Sequence, residues 1–389
     1  MERLLRPYGI VLDGRLELGL ELLMTDGIVR EIRPHTGIPD AYVVSPAFVN
    51  AHSHLEYRGL QGRLQSGEYW PWIREITQAK REQDYGRVRE DTLLAARENR
   101  GTGVAIIAEH SDRPLAAQAM KEAGVSGVVF QEVITRFEAD GPSARFAKAV
   151  ADCEKQQAES GLPCFLAAHA YQTVDEETLR WFGQSDAPFS MHVAETDLEN
   201  ELSRTGEGPI GETFRSLGVP FSPSGKKLLP TLADLGLVRK GAQFIHCCSV
   251  DDADIALMAA HGVTIAHCPR SNENLGCAPA PVREMLDAGL LVGLGLDSAA
   301  SSGPIDMFAE MQAALQSSVE RGHPLTSEQV WAMATHVGAE SLRPALPDLP
   351  DWHIAPGSSI PLIAIHVEDA YLTEDLIERG APIRVRWLT

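Results

Sequence analysis

The hydrophobic positions of this chain change their spacing near residue 45. Before that point, short apolar stretches alternate with turn residues, a pattern typical of strands. We expect strands at residues 9–12, 21–25, 28–32 and 41–44, and similar pieces near the C-terminus at 360–366 and 383–387. Because chain termini in compact proteins often lie close together, the two ends are predicted to form one small β-sandwich module, residues 1–45 plus 354–389.

Between these ends, eight apolar runs alternate with segments of helical periodicity. The runs are residues 44–50, 104–109, 125–131, 163–168, 188–193, 242–245, 263–266 and 290–296. Eight such units predict an α/β fold, a (β/α)₈ TIM-type barrel over residues 46–353. A doubly wound open sheet shows the same alternation of strand and helix segments. No Gly-rich phosphate loop follows the first run, which disfavours the open sheet. The long segment 199–240, rich in Gly, Pro and Ser, is predicted to form a lid or a substrate wall.

Charge and composition limit the classes of partner that we expect. The chain has 389 residues, with 34 Lys and Arg against 54 Asp and Glu, a net charge of −20. Such a balance repels phosphate backbones and anionic lipid, so we expect no nucleic-acid partner and no membrane partner. The sequence shows no signal peptide and no apolar run of about 20 residues, which predicts a cytoplasmic protein. Its six cysteines are expected to be reduced, and the choice between a monomer and a homo-oligomer stays open.

Polar residues follow five of the eight runs. Because ligands and catalytic groups of such barrels gather at the carboxyl ends of the strands, these residues are candidates for chemistry. They are His52 and His54 after the first run, His169 after the fourth, His192 and Glu195 after the fifth, His246 after the sixth, and Asp297 after the eighth.

Three histidines and one aspartate of this group suit a metal ion. His52 and His54 are two residues apart, so on an extended strand both rings face the same way. With His192 and Asp297 they form a set that favours Zn²⁺ or Fe²⁺ over Mg²⁺ or Ca²⁺. The alternatives are a hydrogen-bonded histidine pair at 52 and 54, and ordinary core histidines at 192 and 246.

Glu195 lies three residues after His192, where the strand turns out into its loop. Its carboxylate is therefore a candidate for general acid and base work beside the metal. The alternative is a surface glutamate that opens the next helix.

Several segments together closely resemble the amidohydrolase superfamily, in the branch of deaminases and chlorohydrolases. They are residues 47–55, His192 to Glu195, His246, residues 268–272 and residues 296–298. The resemblance spans about residues 44–340. It implies a mononuclear site in which His52, His54, His192 and Asp297 hold the metal, Glu195 shuttles a proton and His246 orients the nucleophile or leaving group. Relatives with two metals use a carboxylated lysine on the fourth strand, and residues 163–170 contain no lysine.

The implied reaction is hydrolytic deamination, in which Asp297 accepts a proton from water and Glu195 protonates the substrate ring. Glu56, the aromatic segment around Trp70, and residues 269–272 look like the aminodeoxyfutalosine deaminases of menaquinone biosynthesis. In that resemblance His169 matches a substrate-contacting histidine, Arg270 offers a bidentate partner for a carboxylate, and Asn272 belongs to the same substrate-binding motif. Other interpretations are a loop-positioning ion pair for Arg270 and core packing for Trp70.

The predicted substrate is therefore a heterocycle or nucleoside, foremost an adenine nucleoside such as 6-aminodeoxyfutalosine. Deamination of S-adenosylhomocysteine, adenosine, guanine or cytosine, and dechlorination or ring opening of a heterocycle, are the alternatives. A catalytically silent scaffold is disfavoured, because His52, His192, Glu195 and Asp297 are all present.

Overall fold

The N-terminal segment forms six strands in the computed structural model, which describes residues 2–137, 141–367 and 369–388. The strands are β1 (Glu2–Leu5), β2 (Pro7–Leu12), β3 (Arg15–Leu18), β4 (Leu20–Thr25), β5 (Ile28–Pro34) and β6 (Asp40–Pro46). Two Asp-Gly pairs, at 13–14 and 26–27, connect β2 to β3 and β4 to β5, and all four residues have positive φ. Such two-residue turns match the twist of the strands that they join.

Eight parallel strands form the central sheet. They are β7 (Phe48–Ser53), β8 (Val104–Ser111), β9 (Ser126–Val133), β10 (Cys164–Ala170), β11 (Phe189–Val193), β12 (Ala242–His246), β13 (Thr264–His267) and β14 (Leu291–Leu294). Strands adjacent in the chain are adjacent in the sheet. Ser53 and Asp297 form a parallel bridge between its two ends, and the Asp297 N–H donates to the His52 carbonyl oxygen at 2.9 Å. This closure confirms the predicted (β/α)₈ barrel and excludes the open sheet.

Gly295 allows the barrel to close tightly after β14. A Cβ at this position would lie 2.8 Å from both the His52 Cβ and the Cys268 Sγ, closer than carbon and sulfur atoms pack. The missing side chain lets the backbone run against β7 and β13. Asp297 therefore reaches the same end of the barrel as His52.

Helices connect the barrel strands. Between β7 and β10 they are α1 (Tyr69–Glu82), α2 (Tyr85–Gly101), α3 (Ala116–Ala123) and α4 (Pro142–Ser160), preceded by a short 3₁₀ helix at Leu55–Leu60. Between β10 and β13 they are α5 (Glu176–Gln184), α6 (Asp197–Thr205), α7 (Gly208–Leu217), α8 (Leu228–Asp234) and α9 (Asp252–Ala260). After β13 they are α10 (Pro269–Asn274), α11 (Val282–Asp287), α12 (Ala299–Ser302), α13 (Met307–Glu320), α14 (Ser327–Met333), α15 (His336–Ser341) and α16 (Thr373–Arg379). Among the described residues, none of these helices has the length and apolar composition that a membrane crossing requires.

The two ends of the chain share one sheet. β15 (Leu362–Ile365) pairs antiparallel with β6, and β16 (Val385–Trp387) pairs with β15, next to a 3₁₀ turn at Pro382–Arg384. The resulting five-stranded order is β16-β15-β6-β2-β3, beside a second sheet of β1, β4 and β5. The terminal segments thus pair as the sequence predicts. The domain boundaries at 45/46 and 353/354 stay a prediction, and residues 1, 368 and 389 of the predicted module lie outside the described residues.

Candidate active site

The backbone is strained at the strand ends where the predicted catalytic residues lie. Four non-glycine residues there have positive φ: Ala194 at 49°, His246 at 70°, Cys247 at 50° and Asp297 at 51°. Residues with a Cβ rarely adopt this backbone conformation, and the surrounding structure has to enforce it. Such backbone strain is found most often at functional sites. Here it aims His246 and Asp297 toward the mouth of the barrel.

His54 and His192 present unprotonated nitrogens to each other. The Nδ1 of His54 lies 2.9 Å from the carbonyl oxygen of His110, and the Nδ1 of His192 lies 2.9 Å from the carbonyl oxygen of His169. A carbonyl oxygen only accepts, so both Nδ1 atoms carry the proton and both Nε2 atoms carry a lone pair. The two Nε2 atoms are 3.3 Å apart. Two lone pairs at that distance repel each other unless a cation lies between them.

His52 and Asp297 complete the group. The Nε2 of His52 is buried without a hydrogen-bond partner in the described part of the chain, and it lies 3.5 Å from Oδ1 of Asp297. The same oxygen is 3.9 Å from Nε2 of His54. Ligands that each lie about 2.1 Å from one zinc ion are separated by roughly 3 to 4 Å. The four residues therefore fit a shared divalent ion.

At neutral pH, the protonation states of these four residues suit metal binding. Burial, and then the neighbouring histidines, lower the pKa of His52, His54 and His192 well below its ordinary value, so the rings are neutral. Burial acts to raise the pKa of Asp297, but His54 and His246 outweigh it, and that pKa lies below its ordinary value. Neutral imidazoles and an ionised carboxylate are the states in which these side chains bind metals.

Glu195 lies on the wall of the cavity beside this group. Burial, and then the Asp297 carboxylate, raise the pKa of Glu195 well above its ordinary value, so it carries a proton at neutral pH. Its Oε1 is 3.6 Å from Nε2 of His246, and the Tyr69 hydroxyl acts weakly to lower the same pKa. The Nδ1 of His246 donates to Oδ1 of Asn272 at 2.8 Å, which leaves its Nε2 facing the cavity as an acceptor.

His110 and Glu132 lie next to the candidate metal ligands and were not predicted from the sequence. His110, on β8, contacts His52 through its ring. Glu132, on β9, is fully buried, and its carboxylate lies within 4.8 Å of the ligand nitrogens of His54 and His192. Burial raises the pKa of Glu132 to about 8. His110 directly follows the second apolar run and Glu132 directly follows the third, so the strand-end rule, applied to those runs as well, identifies them.

A cavity of about 2250 Å³ opens above the group. Its wall includes Trp70, whose Nε1 donates to Thr213 at 3.1 Å, and His169, whose Nδ1 pairs with Thr173 at 2.7 Å. Segment 199–240 contributes to this wall through α7, including Thr213.

Three residues predicted to bind substrate lie behind the cavity wall. Glu56 is buried and accepts from the Asp112 N–H at 2.8 Å. Arg270 donates to the Pro304 carbonyl oxygen at 2.8 Å, and its guanidinium lies 3.8 Å from Glu310. Asn272 contacts His246. The structure brings Trp70 and His169 to the cavity but not these three, and Arg270 takes the loop-positioning contact that the sequence left as its alternative.

Comparison with known proteins shows the family of this chain. The model of the amidohydrolase family matches residues 43–344. This chain belongs to the amidohydrolase family. The predicted superfamily of hydrolytic enzymes is thus confirmed. The 5-methylthioadenosine/S-adenosylhomocysteine deaminase of Halobacterium salinarum is 30% identical over an alignment of 318 residues, and the alignment covers 77% of this chain and 68% of that protein.

Solved structures of two deaminases share the fold. An adenosine deaminase from Xanthomonas campestris with bound zinc superposes with a TM-score of 0.82 at 20% identity, over 98% of this chain and 90% of the other. The aminofutalosine deaminase of Helicobacter pylori, in complex with methylthio-coformycin, gives 0.79 at 17% identity, over 99% and 100%. At these identities the likeness concerns the architecture, including the terminal β module.

Proposed function

We propose that this chain is a metal-dependent hydrolytic deaminase of adenine nucleosides. The observation that carries the proposal is the pair of unprotonated nitrogens of His54 and His192, 3.3 Å apart, beside an ionised Asp297 and a protonated Glu195. The similarity to a deaminase that acts on 5-methylthioadenosine and S-adenosylhomocysteine supports an adenine nucleoside as the substrate.

His52, His54, His192 and Asp297 would hold one divalent ion, and we expect Zn²⁺ before Fe²⁺. When bound, such an ion lowers the pKa of a water molecule to roughly 7 and so supplies a nucleophile at neutral pH. The hydrogen bonds that His54 and His192 donate to backbone carbonyl oxygens fix the ring orientation that this role requires.

The remaining steps are proton transfers by residues of this chain. Glu195 gives its proton to the ring nitrogen beside the carbon that bears the amino group. Asp297 accepts a proton from the attacking water. His246, oriented by Asn272, accepts a hydrogen bond from that water or from the leaving group. The amino group takes the proton held by Asp297 and leaves as ammonia when the C–N bond breaks. The hydroxyl proton on the attacked carbon returns to Glu195, and a ring carbonyl remains, so that one water is consumed.

The cavity supports a substrate larger than a base. Its volume exceeds the range of about 300 to 1,000 Å³ that is usual for small-molecule sites. Lys80, Arg113 and Arg145 lie on the wall around one carboxylate, Asp112, to which Lys80 and Arg145 are paired. We propose that this cationic wall, rather than Arg270, receives a carboxylate on the 5′ substituent. 6-Aminodeoxyfutalosine and S-adenosylhomocysteine both carry such a group, and the resemblance of the sequence favours the first.

A substrate panel tests this function. Zinc-loaded protein is mixed with 6-aminodeoxyfutalosine, S-adenosylhomocysteine, 5′-methylthioadenosine, guanine and a chlorinated triazine. Ammonia release is followed with the ultraviolet change at the purine, and chloride release is followed for the triazine. We expect the two carboxylate-bearing nucleosides to give the highest kcat/KM, and 5′-methylthioadenosine, which lacks a carboxylate, a lower one. Faster turnover of the triazine or of a free base would contradict an adenine nucleoside substrate, and silence across the panel would contradict deamination itself.

A further inference from the structure

His110 is a buried histidine of β8 whose ring nitrogens both have partners. Its Nδ1 lies 2.9 Å from Nδ1 of His52, and its Nε2 lies 2.7 Å from the hydroxyl oxygen of Ser190. The ring stacks on Phe130 at 5.1 Å between centroids. His110 does not line the cavity. Its backbone carbonyl oxygen holds His54, whereas its ring is hydrogen-bonded to one proposed ligand, His52.

The positions of the protons follow one from another. For His52 to bind an ion through Nε2, its own proton has to sit on Nδ1. That proton points at Nδ1 of His110, which must then accept and carry the lone pair. The proton of His110 is left on Nε2, where it donates to Ser190. Each contact thus fixes the tautomer of the next ring.

The reversed arrangement would disable the ligand. If His110 carried its proton on Nδ1, His52 would have to accept there and hold its own proton on Nε2. That proton would point toward Asp297, where the lone pair is needed. The Ser190 hydroxyl can accept from or donate to Nε2 of His110 and so accommodates either tautomer; the ion bound at Nε2 of His52 makes the choice. Ser190 stands two residues before His192 on β11, so one strand carries both a ligand and the end of the relay.

We propose that His110 is a positioning residue: it accepts the Nδ1 proton of His52 and so holds that ring in the orientation that binds the ion through Nε2, while the hydrogen bond to Ser190 keeps the His110 ring in place. The proposal rests on the metal site of the proposed function. A histidine that binds a metal commonly donates its other N–H to a carboxylate, a carbonyl oxygen or water, and loss of that partner costs about 10- to 100-fold in metal affinity or activity. Here a neutral imidazole takes the place of that acceptor.

The test measures zinc affinity by competition with a chromophoric chelator, together with unfolding of the metal-free proteins. His110→Phe keeps the ring and its stack on Phe130 but removes the acceptor, and we expect about 10- to 100-fold weaker zinc binding. His110→Asn returns an acceptor oxygen and is expected to recover part of the loss. Phe130→Leu is the matched control: it changes the packing around His110 without removing either hydrogen bond, and it is expected to keep wild-type zinc affinity.

Ser190→Ala separates a relay from simple packing. We expect it to weaken zinc binding less than His110→Phe does, and to add nothing when the two are combined, because Ser190 acts only through His110. In zinc-loaded protein with ¹⁵N-labelled histidine, the ring-nitrogen shifts report which nitrogen of His52 carries its proton and whether that proton is hydrogen-bonded, and a hydrogen-bonded Nδ1–H is expected. These two readouts carry the test if His110→Phe fails to fold.

The outcomes separate the two proposals. A wild-type protein that binds no zinc refutes the metal site itself. A wild-type protein that binds zinc, with unchanged affinity in His110→Phe or with additive losses in the double variant, overturns the relay alone. Equal losses in His110→Phe and Phe130→Leu also overturn it, because packing would then explain both.

Discussion

The substitution Glu310→Gln gives a pH-dependent change in stability that the structure allows us to work out. Glu310 lies on α13 and is fully buried. Its Oε1 accepts a hydrogen bond from the backbone N–H of Arg270 at 3.1 Å, and its Oε2 has no hydrogen-bond partner among the described residues. Burial raises the pKa of Glu310 from 4.5 to about 8, although the Arg270 guanidinium, 3.8 Å away, opposes the change.

A raised pKa means that the folded state holds a proton that the unfolded chain releases. The stability from this proton is fully present below pH 4.5 and is lost as the pH rises through about 8. Each tenfold change in a protonation ratio is worth about 1.4 kcal/mol. Glutamine has nearly the same shape and does not titrate. Between pH 5 and pH 8, the free energy of unfolding of Glu310→Gln is therefore expected to rise relative to wild type by about 3 kcal/mol.

Urea unfolding of both metal-free proteins at several pH values between 5 and 8 measures this difference. The buried histidines titrate in both proteins and cancel in the comparison. Glu320→Gln, at the exposed end of the same helix, makes the same substitution outside the buried site and is the control. A difference between Glu310→Gln and wild type that stays flat, or that grows toward low pH, would refute the reasoning.

Three further changes probe the site. Glu195→Gln should keep the metal while kcat falls by about 10² or more, and normal turnover would remove its role as proton donor. Asn272→Leu takes the acceptor from His246 and should lower kcat by about tenfold at unchanged metal content, in steady-state assays; an unchanged kcat would contradict the orienting role. Gly295→Ala places a Cβ 2.8 Å from His52 and should destabilise the protein by about 1–3 kcal/mol in urea unfolding, unlike Gly101→Ala, where nothing lies within 4 Å. Equal effects of the two glycine substitutions would argue against the tight closure.

The barrel could be predicted because its strands are apolar on both faces. β8 is buried at every position, and such runs stand out from the helical segments between them. The first run was misplaced by several residues: predicted at 44–50, it joins the end of β6 to the start of β7. The chain is buried throughout this stretch, so hydrophobicity does not mark the change from the module to the barrel. β1 and β3 were missed, since each has only four residues and exposed positions.

The candidate metal group followed from one rule about strand ends, whereas the substrate residues did not. Arg270 follows β13 directly in sequence, but α10 begins at Pro269 and its first turn directs the guanidinium to Glu310 and the Pro304 carbonyl oxygen. Lys80 comes from α1, far from any strand end, yet its ammonium reaches the cavity wall beside Asp112. Such placements depend on helix docking, which periodicity does not encode.

Metal content per chain tests the central claim most directly. Protein reconstituted with zinc and freed of excess by gel filtration is analysed by elemental mass spectrometry, beside a His192→Phe variant that keeps a ring in the barrel. We predict one ion per chain in the wild type and almost none in the variant after the same treatment. Wild-type protein without an ion or with two, or a variant that keeps its ion, would contradict a single divalent ion held by His52, His54, His192 and Asp297.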